Sequence, residues 1–277
     1  MHFEVVYTSG LSGFIGRNLI QHLLEKFPLL INFRRGNFHE IYSRNGCVKV
    51  ENRYFNKSDG SKLFLSIAAL YKAFPSSRKE LAELYDSNAV LPIKLIEEYI
   101  GSENLKVIQI SSYFQLLDLE FQTPYSLTKS LANAYLKQNY DSVSVLYLFD
   151  TFGDQDDRSR VIDTFITKIK NSEPIALPKE DVYINVSHVS DVCRAIISSI
   201  DLPSMDYCVM SGNTLSLRFI AEEIMRLIGN RVKVNELTAN IDYFYHLNKA
   251  NIPKNLFPTS GSRTFEEYLE MRINEIG

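Results

Sequence analysis

FEVVYTSGLSGFIGRNLIQHLLEK, residues 3–26, decides how the rest of the chain is read. Phe3 to Tyr7 is an apolar run broken only by Glu4, as suits a buried strand. Gly10, Gly13 and Gly16 follow at even spacing, and then Phe14, Ile15, Leu19, Ile20, Leu23 and Leu24 recur at the helical period. Strand, glycine turn and helix make half of a mononucleotide-binding unit. Gly10 permits the tight turn, Gly13 lets a pyrophosphate approach the backbone, and Gly16 lets the helix lie close on the strand. The helix N-terminus offers unpaired N–H groups and partial positive charge to phosphates.

Outward from that stretch, 277 residues suffice for one large domain or two closely joined ones. The expected class is α/β, a doubly wound parallel sheet of the Rossmann type followed by a smaller C-terminal α/β region. The boundary is expected near 150, with 184–212 returning to the first domain and 151–277 mainly binding substrate. A net charge of −3 without a basic block gives no reason to expect nucleic acid as a partner. No apolar run is long enough to span a membrane, and the N-terminus has no signal-peptide pattern. Cys47, Cys193 and Cys208 are odd in number and scattered, which favours reduced thiols and a cytoplasmic location. Neither they nor the dispersed histidines have metal-ligand spacing, so no metal is expected.

The second strand is expected over 29–33, ending at Arg34-Arg35. At this position an acid would hold a ribose 2′-hydroxyl, whereas arginine accommodates a 2′-phosphate. Two arginines and no acid favour NADP(H), with NAD(H) as the lesser alternative. A third strand is read at Val48-Lys49-Val50, and another in the run Leu63 to Ala69, whose small terminal residues leave room for a cofactor. The link between them is near the minimum for a parallel crossover, so its helix is expected to be reduced or lost. Ser76 and Ser77 can cap a long helix to about Ile100, stopped by Gly101, with Pro92 kinking or breaking it.

Leu105 to Ile110 forms the next strand, ending at Ser111-Ser112. Thirteen residues beyond Ser112, Tyr125 opens a helix behind Pro124, and Lys129 stands four residues on, on the same face. A free tyrosine titrates near pH ~10, and a neighbouring ammonium is expected to lower that value toward neutrality. Such a pair suits general acid–base work, with lysine donors left to reach ribose hydroxyls.

These ordered motifs resemble the extended short-chain dehydrogenase/reductase family, the NAD-dependent epimerases and dehydratases of nucleotide sugars. The resemblance implies catalysis by Ser112, Tyr125 and Lys129, with Asn88 beside them. Ser112 matches the family's serine better than Ser111, and the choice between the two stays open. It implies coenzyme contacts from Gly10, Ser12, Gly13, Phe14, Ile15, Gly16, Arg34, Arg35, Ala68, Ala69, Ser111 and Lys129. It further implies a nucleoside-diphosphate sugar as substrate and a homodimer as the assembly.

Later segments follow the family more loosely. Asp150-Thr151-Phe152-Gly153 stands where it carries an Asn-x-Tyr-Gly-like turn. His188-Val189-Ser190-Asp191-Val192 resembles its His-Val-x-Asp-Val segment and reads as structural, capping a helix near Val192. Ser216 caps a helix to Ile228, and 257–259 with 264–269 resemble a closing proline turn and helix. The residues after Ser112 bear on the reaction. The family's 4,6-dehydratases place an acid pair there and its epimerase-reductases a cysteine, whereas this chain has Tyr113-Phe114. Within the family the motifs most resemble CDP-abequose and CDP-paratose synthases, which reduce a 4-keto deoxysugar. The expected function is therefore an NADPH-dependent 4-ketoreductase of O-antigen deoxysugar synthesis. An NAD-dependent 4-epimerase is the alternative, and a non-catalytic NADP-binding regulator a further one.

Overall fold

The computed structural model describes residues 3–276 apart from 35, 37, 53–57, 154, 155, 157, 159, 213, 238–251, 253 and 260–263. The chain runs β1 (Val5–Ser9), α1 (Phe14–Lys26), β2 (Leu29–Phe33), β3 (Phe38–Ser43), β4 (Gly46–Glu51) and β5 (Lys62–Ser66). It continues through α2 (Arg78–Tyr85), α3 (Leu91–Leu95), β6 (Leu105–Ser112), α4 (Pro124–Asn139), β7 (Val143–Leu148) and β8 (Asp150–Phe152). Then come α5 (Val161–Lys170), β9 (Ile175–Leu177), β10 (Tyr183–His188), α6 (Val189–Ser199), β11 (Asp206–Ser211) and β12 (Thr214–Ser216). Last are α7 (Leu217–Ile228), β13 (Val234–Glu236), β14 (Leu256–Thr259) and α8 (Phe265–Glu275).

Nine strands form one sheet in the order β14-β11-β7-β6-β5-β1-β2-β3-β4. All neighbours from β14 to β2 are parallel. The inner strands bury both faces, and their alternation separates two cores. Val6, Leu65, Ile108, Ile110, Leu146 and Leu148 face α1 and α6, packing on Leu19, Leu23 and Ile196. Tyr7, Phe64, Val107, Val145 and Tyr147 face the other way, toward Leu95, Ile96, Ile100 and Leu136. A third cluster joins α5, α7 and α8 over β9 and β10, with Phe152 and Ile166 inside it. The expected α/β class and doubly wound sheet are therefore present.

Three local readings need correction. Val48 to Val50 is a strand as read, but it is the fourth along the chain rather than the third, and it pairs antiparallel with β3. Residues 38–51 are an antiparallel hairpin added outside β2, and β5 inserts on the other side of β1. β4 runs in the same direction as β5, with β3, β2 and β1 between them, so the short link before β5 connects parallel strands of one sheet, as its length had suggested. Asp150 to Phe152 is a short strand rather than a turn, and it pairs with β10 in a separate sheet of three strands. Leu256–Thr259, read partly as a proline turn, is a strand parallel to β11, and among the described residues it stands at the edge of the sheet.

The helix expected from Ser77 to Ile100 is continuous but irregular. Ser77 accepts from the Glu80 N–H as N-cap, and Gly101 ends the helix at φ +78°. π-turns occupy Asp86–Val90 and Ile96–Ile100. The first lets Leu91 N–H reach Asp86 O, so Pro92, which has no N–H to give, enters at the start of the next turn. His188 does cap a helix, but that helix begins at Val189. Among the described residues no helix is long and apolar enough to cross a membrane.

Candidate active site

β1, β5 and β6 end side by side, and a cavity of about 690 Å³ opens at their carboxyl ends. That is where chain reversal across a doubly wound sheet leaves a crevice. Its floor is the glycine turn. Gly10 sits at φ +92°, and a Cβ there would meet Ala68 N at 2.5 Å. A Cβ on Gly16 would meet Gly10 O at 2.2 Å. Any side chain at either position would push the turn off the sheet. Gly13 is different, because the nearest atom to a Cβ there is Gly10 O at 3.4 Å, and it faces the cavity. Gly13 is also the N-cap of α1 and has no side-chain cap, so that helix end is open toward the cavity.

β6 delivers the serines. Ser111 Oγ donates to Asn133 Oδ1 at 3.0 Å, turning that hydroxyl toward α4. Ser112 caps the short 3₁₀ turn that follows and hydrogen-bonds the Tyr125 side chain. Thr123 and Ser126 form a capping box at the start of α4, with Pro124 in its first turn. That cap fixes the helix so that Tyr125, Lys129 and Asn133, one turn apart, bury one polar face against β6.

The electrostatics differ from the sequence expectation. Burial is the largest influence on Tyr125 and pushes its phenol up to about 12, and Tyr71 adds to the rise. Arg160, the Ser112 hydrogen bond and Arg158 oppose it without winning. Proximity along the helix therefore does not lower the phenol. Lys129 is 2% exposed, and burial pushes its ammonium down to about 8. It lines the cavity and has no hydrogen bond or ion pair to another described residue.

Gly10, Ser12, Gly13, Phe14, Ile15, Gly16, Arg34, Ala68, Ala69, Ser111, Ser112, Tyr125 and Lys129 all line this one cavity. Arg35 lies outside the described residues. Asn88 is buried but does not line it. Its Oδ1 accepts from Leu70 N–H at 2.8 Å, and its Nδ2 donates to Leu70 O at 3.0 Å and Thr128 Oγ1 at 3.2 Å. Asn88 thus ties the loop after β5 to α4, and a direct catalytic contact has no geometric basis.

Sequence reading passed over several cavity residues. Arg158 lies over the Phe14 ring at 4.1 Å and pairs with Asp156, while Arg160 lies 5.7 Å from the Tyr71 ring. Tyr71 meets Tyr125 edge-on at 4.9 Å. These residues sit on loops with no periodic or motif signal. Asn133 did carry one, being four residues beyond Lys129 on the same face. Asp150 is the one carboxylate lining the cavity among the described residues, against the cations Arg17, Arg34, Lys129, Arg158 and Arg160. Burial raises it to about 6, partly offset by Arg160 and Arg158, and its Oδ2 has no hydrogen-bond partner among the described residues. After Ser112, Tyr113 stacks on Phe114 at 4.5 Å and on Phe149 at 4.8 Å, so that wall is aromatic.

Comparison with known proteins agrees with this arrangement. The chain is 24% identical over 251 residues to a CDP-abequose synthase of Yersinia pseudotuberculosis, covering 85% of this chain and 86% of that one. It superposes on UDP-glucuronic acid 4-epimerase from Bacillus cereus, solved with UDP-glucuronic acid and NAD, at TM-score 0.68, 15% identity and 98% coverage of both. RMD from Pseudomonas aeruginosa, complexed with NADPH, superposes at 0.66, with 15% identity and 98% coverage of both. The family model for the NAD dependent epimerase/dehydratase family matches residues 6–206, and with its glycine turn, doubly wound sheet and serine–tyrosine–lysine cluster, the chain belongs to that family.

Proposed function

We propose that the protein reduces the 4-keto group of a nucleoside-diphosphate deoxyhexose with NADPH, in cytoplasmic deoxysugar synthesis of the O-antigen kind. The observation that carries this reading is the meeting of Ser112, Tyr125 and Lys129 in a cavity whose wall beyond Ser112 is aromatic. The glycine turn, the open end of α1, Arg34 and Lys129, which has no partner among the described residues, fit a nicotinamide dinucleotide. When bound, that group supplies the hydride for the keto carbon.

The remaining chemistry belongs to the side chains. Negative charge develops on the keto oxygen as reduction proceeds, and Tyr125 is held protonated at neutral pH, the state from which it can give a proton. Ser112, rather than Ser111, shares that oxygen, because Ser111 is committed to Asn133. Among the described residues, five cations against one carboxylate suit a diphosphate at the same cavity. The CDP-abequose synthase relative supports a CDP sugar as the specific substrate.

Elimination of water needs an additional acid and base beside the sugar, and the Tyr113–Phe114 wall offers neither. The purified protein is therefore expected to leave CDP-glucose and dTDP-glucose unchanged. It should consume NADPH in preference to NADH, and only when a 4-keto sugar nucleotide is supplied. A 4-keto-6-deoxy product made by the protein alone would overturn the reductase reading, and equal kcat/KM for the two coenzymes would overturn the NADP reading. A 4-epimerase is the second reading, favoured by the Glu40 carboxylate that pairs with Arg34 and weakens the case for a 2′-phosphate. Interconversion of C4 epimers without added coenzyme would establish it.

We also infer a homodimer. Leu81 and Tyr85 on α2, and Leu127 and Leu131 on the adjacent α4, are each more than 40% exposed at one-turn spacing. Such paired apolar stripes fit a helix-on-helix interface between two copies. Sedimentation equilibrium is expected to give twice the chain mass, and Leu81→Glu with Leu131→Glu should give monomers. A monomeric unmodified protein at micromolar concentration would refute the assembly.

A further inference from the structure

No acid stands beside Arg34 in the sequence, yet the fold supplies one. β3 returns antiparallel to β2, and its register sets Glu40 opposite Asn32. Directly opposed residues project to the same face, so the carboxylate is delivered to the loop that follows β2. Arg34 Nη1 donates to Glu40 Oε1 at 3.0 Å. Glu40 Oε2 accepts from Asn32 Nδ2 at 2.9 Å and from the Tyr42 hydroxyl at 3.0 Å. Asn32 Oδ1 in turn accepts from Leu11 N–H in the glycine turn at 3.3 Å. A continuous chain of hydrogen bonds thus runs from the phosphate-facing turn to Arg34.

The two partners are placed differently. The Arg34 side chain is 39% exposed and lines the cavity, whereas the Glu40 side chain is 14% exposed and does not. Glu40 is thus not available to hold a ribose itself. Its effect is on the arginine, since a carboxylate in contact with a guanidinium cancels much of the charge offered to another anion. We propose that Glu40 is a specificity-determining residue for the coenzyme: by holding and attenuating Arg34 it limits discrimination in favour of a 2′-phosphate. The inference rests on the reading that this cavity takes a nicotinamide dinucleotide with its adenosine at the end of β2.

Adenosine 2′,5′-bisphosphate and 5′-AMP are the probes, titrated by calorimetry at low salt into the full chain and its variants. The readout is the ratio of their Kd values, 5′-AMP over bisphosphate. Glu40→Gln is expected to raise the ratio about tenfold, the effect of one freed charge near a phosphate. Glu40→Ala should do the same and serves if the glutamine variant does not fold. Tyr42→Phe removes a neutral donor from the same carboxylate and should leave the ratio unchanged. In an Arg34→Ala background, Glu40→Gln should change the ratio by less than about threefold, because the effect passes through the arginine. An unchanged or lowered ratio in both Glu40 variants overturns the inference, as does an equal gain without Arg34. If the unmodified protein binds neither nucleotide, the coenzyme reading fails and the inference with it. Binding of both with an unmoved ratio removes the inference alone.

Discussion

Replacing Tyr125 with phenylalanine is expected to lower kcat for a 4-keto sugar nucleotide by about 10²- to 10⁴-fold, the range of general acid catalysis. The ring and its edge contact with Tyr71 are kept, and only the transferable proton is lost. NADPH should still bind, since the phenol is assigned no coenzyme contact, so the loss should appear in kcat and not as a large rise in coenzyme KM. Ser112→Ala should cost less, because it removes one hydrogen bond to the same oxygen. Since burial pushes the phenol up to about 12, kcat should show no titration of Tyr125 between pH ~6 and ~9. Near-normal turnover by Tyr125→Phe would leave the glycine turn as evidence for nucleotide binding and nothing more.

Lys129→Met should weaken function and strengthen the fold together. Losing the ammonium removes charge-assisted hydrogen bonds worth ~1.5–3 kcal/mol, so the Kd for NADPH should rise roughly tenfold to a hundredfold, with kcat falling as well. Stability moves the other way. Burial lowers the folded-state value to about 8 from the ordinary 10.5, so between those pH values the unfolded chain binds the proton that the folded one has lost. The slope of unfolding free energy against pH is then positive, and the unmodified protein gains stability as pH rises from about 8 to about 10.5. Below pH 8 the full cost of the buried ammonium is present, about 3 kcal/mol. Methionine has similar length and no charge. The variant should be more stable at pH 7 by that order in urea unfolding, with the difference shrinking toward pH 10.5. A variant less stable at pH 7, or one binding NADPH normally, would show that the ammonium is not held in reserve for the coenzyme.

The legible parts of this molecule are those written over short spans. The glycine turn, Tyr125 with Lys129, and the caps at Ser77, Ser216 and Gly229 depend on residues within one or two turns of each other. Spacing alone therefore places them. Pairing between distant segments is a different matter. Gly46 to Glu51 alternates as an edge strand should, but nothing local says that its partner is β3 and runs antiparallel. Nor does Asp150-Thr151-Phe152 declare that it leaves the large sheet for β10. The electrostatics were hidden for a related reason. Lys129 is a near neighbour of Tyr125 in sequence, whereas the desolvation that dominates both groups comes from residues throughout the chain.

Between Phe33 and His39, which face each other across the sheet, lie only five residues, Gly36 among them at φ +104°. That short span contains the arginine and also sets the phase of the returning strand. Because side chains alternate faces with a period of two, a register slip of one residue would send Glu40 to the opposite side of the sheet and bring a neighbour in its place. The charge environment of a coenzyme site is then governed by the odd or even count of a loop as much as by the residues it contains. Insertions or deletions here could switch that environment in a single step, with the reactive end of β6 left intact.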